Sequence, residues 1–166
     1  MIKKLLNEIK QRITPEIYFT MDVEGDRTLM TGVPTTYFID HPLGLPGFCF
    51  NSFGLHVHVD LNDLDSFSFQ EVYEILKKRK EKLELKTGKK IKYFRPGWLI
   101  DHPKLRKAVR RLNMKTIMTN VRYYTAWLPK KKIVFIVHSY NSEFFVRFLI
   151  LYLKIFHPFG KWRVFE

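Results

Sequence analysis

The chain has 166 residues, of which 46% are hydrophobic and 16% are aromatic. A chain of this length and composition supports one folded domain with a hydrophobic core, which excludes an intrinsically disordered protein. The formal net charge is +13, and no acidic residue lies between His102 and Asn141. This acid-free window predicts a basic surface and an anionic partner such as phospholipid, nucleic acid or an acidic glycan. A basic surface that serves only solubility is the alternative.

Three features bear on the location of the protein. Residues 1–10 have an amphipathic helical pattern with charges throughout, so they lack the continuous apolar core of a signal peptide. Cys49 is the only cysteine, which excludes an intrachain disulfide and is compatible with a reducing compartment. The apolar segment 144–156 is shorter than the roughly 20 residues that a membrane span needs. We expect a cytoplasmic protein with a buried helix at 144–156; a helix in an anionic membrane surface is the alternative.

Short apolar runs alternate with polar loops in the first part of the chain. Residues 17–21 and 35–39 are rich in β-branched and aromatic side chains and are predicted as strands. A third candidate strand contains His56. The first of these strands leads directly into Asp22 and Glu24, so two carboxylates lie at its carboxyl end.

Two helices have recognisable starts. Ser68 and Glu71 have the spacing of a capping box, and Gly88 stands where a left-handed residue ends such a helix. Asp101 is the predicted cap of the second helix, with Pro103 in its first turn.

Further strands are predicted at 91–94, 115–119 and 133–137. Strands that alternate with helices favour parallel pairing through right-handed crossovers, so the fold class is α/β. The sequence contains no repeat, low-complexity tract or domain linker.

Side chains suited to catalysis cluster at the predicted carboxyl ends of the strands, where parallel α/β folds bind their ligands. They are Asp22, Glu24, His56, His58, Asp60, Arg95 and His138. On a strand that continues past His56, the side chain of His58 shares its face and could bind the same ion. If the chain turns after His56, Asp60 could bind instead. The spacing alone leaves both arrangements open.

Histidine and carboxylate ligands from two strand ends would form an open metal site, for which zinc is the first expectation. Such an ion acidifies a bound water and polarises a carbonyl. Of Asp22 and Glu24, one could act as base and the other as ligand. His138 could protonate a departing amine, and Arg95 could hold the base in its ionised form. These residue types together predict metal-assisted amide hydrolysis.

Four segments resemble, in the same order, the motifs of the polysaccharide deacetylases of the NodB-homology group, carbohydrate esterase family four. They are FTMDVE at 19–24, the stretch that begins GLH at 54–56, FRPGW at 94–98 and IVHS at 136–139. The resemblance covers about residues 17–140. It implies one deacetylase-like domain over 1–166, with a helix and tail at 144–166. The implied fold is a distorted, shortened (β/α) barrel with about six to seven parallel strands.

The resemblance also implies catalytic roles. Asp22 would be the base and Arg95 its partner, while His138 would be the general acid. The backbone N–H of Trp98 would stabilise the oxyanion of the tetrahedral intermediate.

For the metal, the resemblance implies Glu24 and His56 as ligands, with Asp60 as the third and His58 as its alternative. Zinc is expected, with cobalt, manganese, nickel and iron as the other candidates.

The implied function is hydrolysis of an N-acetyl or N-formyl group from an amino sugar. The basic remainder of the chain favours an anionic substrate, such as a lipid-phosphate-linked sugar at a membrane surface. One alternative is a carbohydrate-binding protein that keeps the fold without activity, because Asp60 stands where the family usually has histidine. Nucleic-acid binding is a weaker alternative, because no helix-turn-helix, zinc-finger or RNA-binding signature accompanies the charge.

Overall fold

The computed structural model describes residues 3–4, 14–24, 31–40, 52–119 and 130–166. Apart from Lys3 and Lys4, the helix expected at 1–10 lies outside the described residues, as does Cys49. Within the described ranges, no helix is both long enough and apolar enough to cross a membrane.

The strands of the described residues form a single sheet. They are β1 (Glu16–Val23), β2 (Thr35–Ile39), β3 (Ser52–Val57), β4 (Tyr93–Pro96), β5 (Lys115–Thr116), β6 (Lys132–His138) and β7 (Lys161–Trp162). The strand order is β5-β4-β3-β2-β1-β6, with β7 beside the start of β1, and every pairing is parallel. The six strands of this path form a curled half-barrel, which confirms the predicted shortened (β/α) barrel.

Four helices and one 3-10 turn accompany the sheet in the described ranges. They are α1 (Leu61–Ser66), α2 (Phe69–Thr87), the turn Gly97–Leu99, α3 (Pro103–Arg111) and α4 (Glu143–Phe156). The sequence patterns do not predict α1, because it is six residues long and buries only Leu64. The helix expected to be buried at 144–156 is α4, and it is buried along one side only.

The start and end of α2 confirm the local sequence signals. The Oγ of Ser68 accepts a hydrogen bond from the N–H of Glu71 at 3.2 Å, and the N–H of Ser68 donates to Oε2 of Glu71 at 2.7 Å. Gly88 ends the helix with φ of 64°, in the left-handed region that glycine enters without strain.

The predicted cap of the second helix is wrong by one residue. His102 is the cap of α3, because its Nδ1 accepts a hydrogen bond from the N–H of Lys104 at 3.3 Å. The carboxylate of Asp101 instead accepts from the side chain of Arg106 at 3.1 Å. The histidine takes this position because Pro103 occupies the first helical turn and holds the preceding residue extended.

The two faces of the sheet have different partners, because successive side chains of a strand point in opposite directions. Ile17, Phe19 and Met21 of β1 are fully buried in one hydrophobic cluster with residues of α2, α3 and α4. The alternate residues of β1 include Tyr18, whose ring stacks on Phe165 at 4.4 Å between ring centroids. Asp22 ends this second row, at the carboxyl end of the sheet.

Candidate metal and catalytic centre

The strand register brings the predicted catalytic residues to one edge of the sheet. Asp22 of β1 lies opposite His138 of β6. His56 of β3 lies opposite Arg95 of β4. Because all these strands are parallel, their carboxyl ends meet at the same edge, and the side chains converge there.

The carboxylate of Glu24 is the centre of this cluster. Its Oε1 lies 3.2 Å from Nε2 of His58, 3.5 Å from Nε2 of His56 and 3.4 Å from Nδ1 of His138. The backbone of Glu24 is held by Ser139, whose Oγ accepts from its N–H at 3.1 Å and donates to its carbonyl at 3.2 Å. One possible ligand atom each from Glu24, His56 and His58 lies within 4.8 Å of the other two.

The tautomer of His56 suits metal binding. The side chain is buried, and its Nδ1 lies 3.0 Å from the carbonyl oxygen of Arg95. Only a protonated Nδ1 can donate to a carbonyl, so Nε2 carries the free lone pair that faces Glu24. Burial lowers the pKa of the His56 imidazole, which favours this neutral form.

The donor set fits a divalent metal ion. The buried nitrogens His56 Nε2, His58 Nε2 and His138 Nδ1 have no hydrogen-bond partner in the described part of the chain. A buried polar atom without a partner is costly, and one carboxylate oxygen cannot satisfy three ring nitrogens. A cation held by Glu24, His56 and His58 would satisfy two of these three nitrogens, with the nitrogen and oxygen ligands typical of zinc.

The structure does not bring Asp60 to this group. Asp60 is exposed, and its Oδ1 accepts a hydrogen bond from the N–H of Asn62 at 2.8 Å, which makes it the N-cap of α1. Of the two alternatives, the structure brings His58, and not Asp60, beside Glu24 and His56. The chain does turn just after β3, but the turn starts a helix, and the aspartate side chain caps that helix.

Gly97 makes room for His58, and the sequence reasoning missed this role. A Cβ at position 97 would lie 2.7 Å from Cγ of His58 and 2.9 Å from its Cα. The ring of Trp98 also contacts the ring of His58 edge-on, at 4.9 Å between ring centroids. Trp98 has φ of 50° and its side chain is 69% exposed. The glycine in the FRPGW segment was the sequence feature that could have indicated a close approach of another residue at this position.

Asp22 and Arg95 form a buried ion pair. Nη1 of Arg95 donates to Oδ1 of Asp22 at 2.6 Å, and the two side chains are 0% and 4% exposed. The guanidinium carbon lies 3.9 Å from the ring centroid of Phe38. Gly54 leaves space for this ring, since a Cβ there would lie 2.6 Å from Cδ1 of Phe38. Phe38 and Gly54 thus position Arg95 against Asp22.

A cavity of about 710 Å³ opens beside the cluster. Asp22, His56 and His138 line its polar part, and the rest is largely apolar and aromatic. Tyr140 stacks on His138 at 4.8 Å between centroids, and burial raises the pKa of this tyrosine, with Glu24 and Asp22 adding to the rise. The side chain of Asn141 accepts a hydrogen bond from the N–H of His138 at 2.8 Å. A cavity of this size accommodates a sugar.

No family model and no curated protein matches this sequence. Solved structures do match the fold. The wild-type BA3943 protein of Bacillus anthracis, a CE4 family pseudoenzyme, is 15% identical with a TM-score of 0.67, over 90% of this chain and 64% of that one. A mutant of that protein has restored enzymatic activity. This chain therefore spans about two thirds of the length of the BA3943 structures.

Two further solved structures have similar scores. The Bc1960 peptidoglycan N-acetylglucosamine deacetylase is 18% identical with a TM-score of 0.67, over 91% of this chain and 86% of that one. The family 4 carbohydrate esterase of Streptomyces lividans, solved with acetate, is 11% identical with a TM-score of 0.63, over 92% and 93%. The resemblance inferred from the motifs is confirmed at the level of the fold: this chain has the fold of the family 4 carbohydrate esterases, the NodB-homology polysaccharide deacetylases.

Proposed function

We propose that this chain is a metal-dependent hydrolase that removes an N-acyl group, acetyl or formyl, from an amino sugar. The observation that carries the proposal is the convergence on Glu24 of three buried ring nitrogens that have no hydrogen bond in the described part of the chain. The buried ion pair between Asp22 and Arg95 lies beside them at the same cavity. The fold neighbours support the reaction class, because one is a peptidoglycan N-acetylglucosamine deacetylase.

Glu24, His56 and His58 would hold the divalent metal ion. Zinc is the first candidate, and cobalt, manganese, nickel or iron would also fit the donor set. When bound, such an ion acidifies water and polarises the carbonyl of the amide.

Asp22 is the proposed base that takes a proton from the attacking water. Arg95 offsets the charge of this carboxylate in a buried position and occupies its Oδ1 through a hydrogen bond. Because the pair is almost fully buried, the carboxylate is held in one orientation at the cavity wall.

His138 is the proposed acid that protonates the departing amine. Its Nδ1 faces Glu24, which leaves Nε2 for the transfer. Tyr140 and Asn141 restrain the imidazole by stacking and by a backbone hydrogen bond. The backbone N–H of Trp98, in the turn after β4, is the proposed donor to the oxyanion.

The substrate is proposed to be anionic or lipid-linked. This refinement rests on the net charge of +13 and on the acid-free window between His102 and Asn141. A negatively charged sugar would be attracted to such a surface.

A carbohydrate-binding protein without activity is the second candidate. It is favoured by the pseudoenzyme among the fold neighbours and by Asp60, which stands where the resemblance implies a histidine and caps a helix instead. Both candidate functions are compatible with the fold and the cavity, so only measurements of metal binding and acyl release can distinguish them.

The test combines metal analysis with release of acetate or formate from a panel of N-acyl sugars. The wild-type chain should bind about one equivalent of metal and release acyl groups. Asp22→Asn should keep the metal and lose about 10²- to 10⁴-fold in turnover. Asp63→Asn is the matched control, because Asp63 is exposed on α1. Full activity of Asp22→Asn rules out the assigned base; bound metal without acyl release from any sugar favours the inactive binding protein.

A further inference from the structure

Helix α4 has apolar residues on two opposite sides. The side that packs into the core consists of Val146, Leu149, Ile150 and Leu153. Because successive residues of an α-helix are rotated by about 100° around its axis, a second apolar stripe lies opposite the core-facing side. This stripe is Phe144, Phe148, Leu151 and Ile155, which are 81%, 52%, 56% and 63% exposed, and we call it the outer face of α4. A surface helix ordinarily carries charged residues there.

Other large apolar side chains near the two ends of α4 are also exposed. Near its carboxyl end, Phe156 and Phe159 are 50% and 65% exposed. Toward the cavity, Phe145 and Tyr140 are 39% and 63% exposed. Several large exposed apolar side chains on and around one helix are typical of an interaction surface.

Basic residues flank the outer face. Residues 130–166 contain seven lysines and arginines and two glutamates. Arg147 and Lys154 are exposed, and the helical spacing places both along one flank of the outer face, where Arg147 also donates to the carboxylate of Glu143 at 2.5 Å. Cations beside an apolar stripe reach lipid phosphates while the apolar side chains enter the acyl region.

The length of α4 fits a helix that lies along a bilayer. Its 14 residues extend over about 21 Å, whereas the hydrocarbon core is about 30 Å thick. We propose that the outer face of α4 docks onto an anionic lipid bilayer, with Arg147 and Lys154 at the headgroups. Phe145 and Leu149 of the same helix line the cavity, so docking would bring the cavity close to the membrane.

A second copy of this chain is the competing occupant of the outer face. The net charge of +13 opposes the close approach of two copies, and it attracts an anionic surface. Charge complementarity therefore favours the bilayer. Lipid binding by this helix does not depend on the proposed hydrolysis.

The experiment is vesicle flotation with the full chain, using phosphatidylcholine alone and a mixture with phosphatidylglycerol. The wild type should float with the mixed vesicles and remain unbound with the neutral ones. Leu151→Ser should weaken binding about five- to tenfold, because a largely exposed leucine loses its burial in the acyl region. Leu85→Ser is the matched control, since Leu85 is 88% exposed on α2, and it should float like the wild type.

A second pair of variants tests the charge. Lys154→Gln should weaken binding to the mixed vesicles about fivefold. Lys82→Gln, an exposed lysine of α2, should leave binding unchanged. Circular dichroism and metal content should be the same in all four variants, which separates lipid binding from the candidate centre.

The proposal is overturned if the wild type ignores mixed vesicles, or if Leu85→Ser weakens binding as much as Leu151→Ser. It is also overturned in favour of a dimer if light scattering finds two copies in the wild type, one copy in Leu151→Ser and no flotation of either.

Discussion

Replacing Gly97 with alanine tests whether His58 is a metal donor. The added methyl group would lie 2.7 Å from Cγ of His58 and 2.9 Å from its Cα. These contacts are about 0.7 and 0.5 Å shorter than the closest ordinary van der Waals contact, 3.4 Å. Because the Cα is backbone, His58 cannot relieve the overlap by changing its rotamer alone.

The size of this displacement sets the expected loss. Metal-to-nitrogen distances tolerate about 0.2 Å of change, so a shift of about 0.5 Å removes His58 from effective ligation. We expect zinc affinity to fall by at least about 10- to 100-fold, the range known for loss of a supporting residue. Overpacking should also lower the free energy of unfolding by about 1–3 kcal/mol.

Competition with a chromophoric chelator measures the zinc affinity, and urea denaturation measures the stability. Gly160→Ala is the control, because a Cβ there would overlap Ile17 and lie 3.0 Å from the carbonyl oxygen of His157, away from the centre. This control should lose stability and keep its zinc affinity. His58→Ala should match the affinity of Gly97→Ala without the steric strain.

Wild-type zinc affinity in folded Gly97→Ala would refute the reasoning that His58 is held in place by this glycine. Wild-type affinity in His58→Ala would remove His58 from the donor set altogether.

Three further variants test the supports of the centre and the fold. Arg95→Met should lower the free energy of unfolding by about 3–5 kcal/mol in urea denaturation, because it leaves the buried Asp22 carboxylate unpaired. Adding Asp22→Asn should recover part of that loss, and strictly additive effects would contradict the pairing. Phe165→Ala should lower the free energy of unfolding by about 3 kcal/mol in the same assay, since it empties the stacking site on Tyr18, and an unchanged free energy of unfolding would contradict it. Ser68→Ala should cost about 1 kcal/mol, and Ser68→Thr should retain most of the stability if the capping box matters.

Local sequence signals predicted the parts of the fold that neighbouring residues decide. The capping box at Ser68 and the left-handed Gly88 require only contacts within one helical turn, so both were predictable. Helix α1 and strand β7 were not predictable. Helix α1 has only six residues, and β7 depends on pairing with β1, which is distant in the sequence. The error at Asp101 arose because aspartate caps better in general, although Pro103 selects the residue directly before it.

The sequence also predicted which side chains lie at the strand ends, because parallel strands place their carboxyl ends together. Asp22, Glu24, His56 and His138 follow from this rule, and their chemistry suggested a metal before any contact was known. It could not choose between His58 and Asp60, whose spacings from His56 are both compatible with a ligand.

Only the tertiary structure shows which of these two residues lies beside Glu24 and His56. Asp60 is used as a helix cap, while His58 packs against Gly97, a residue 39 positions further along the chain, and faces Glu24. The exposure of the outer face of α4 is likewise decided by tertiary packing. An apolar segment of this length predicts a buried helix, and only the positions of the other elements show that one side is exposed. The sequence by itself determined the residue types and their order along the strands. Long-range contacts determined which of those residues face one another within the cluster, because spacing along the chain does not fix the side-chain contacts between strands.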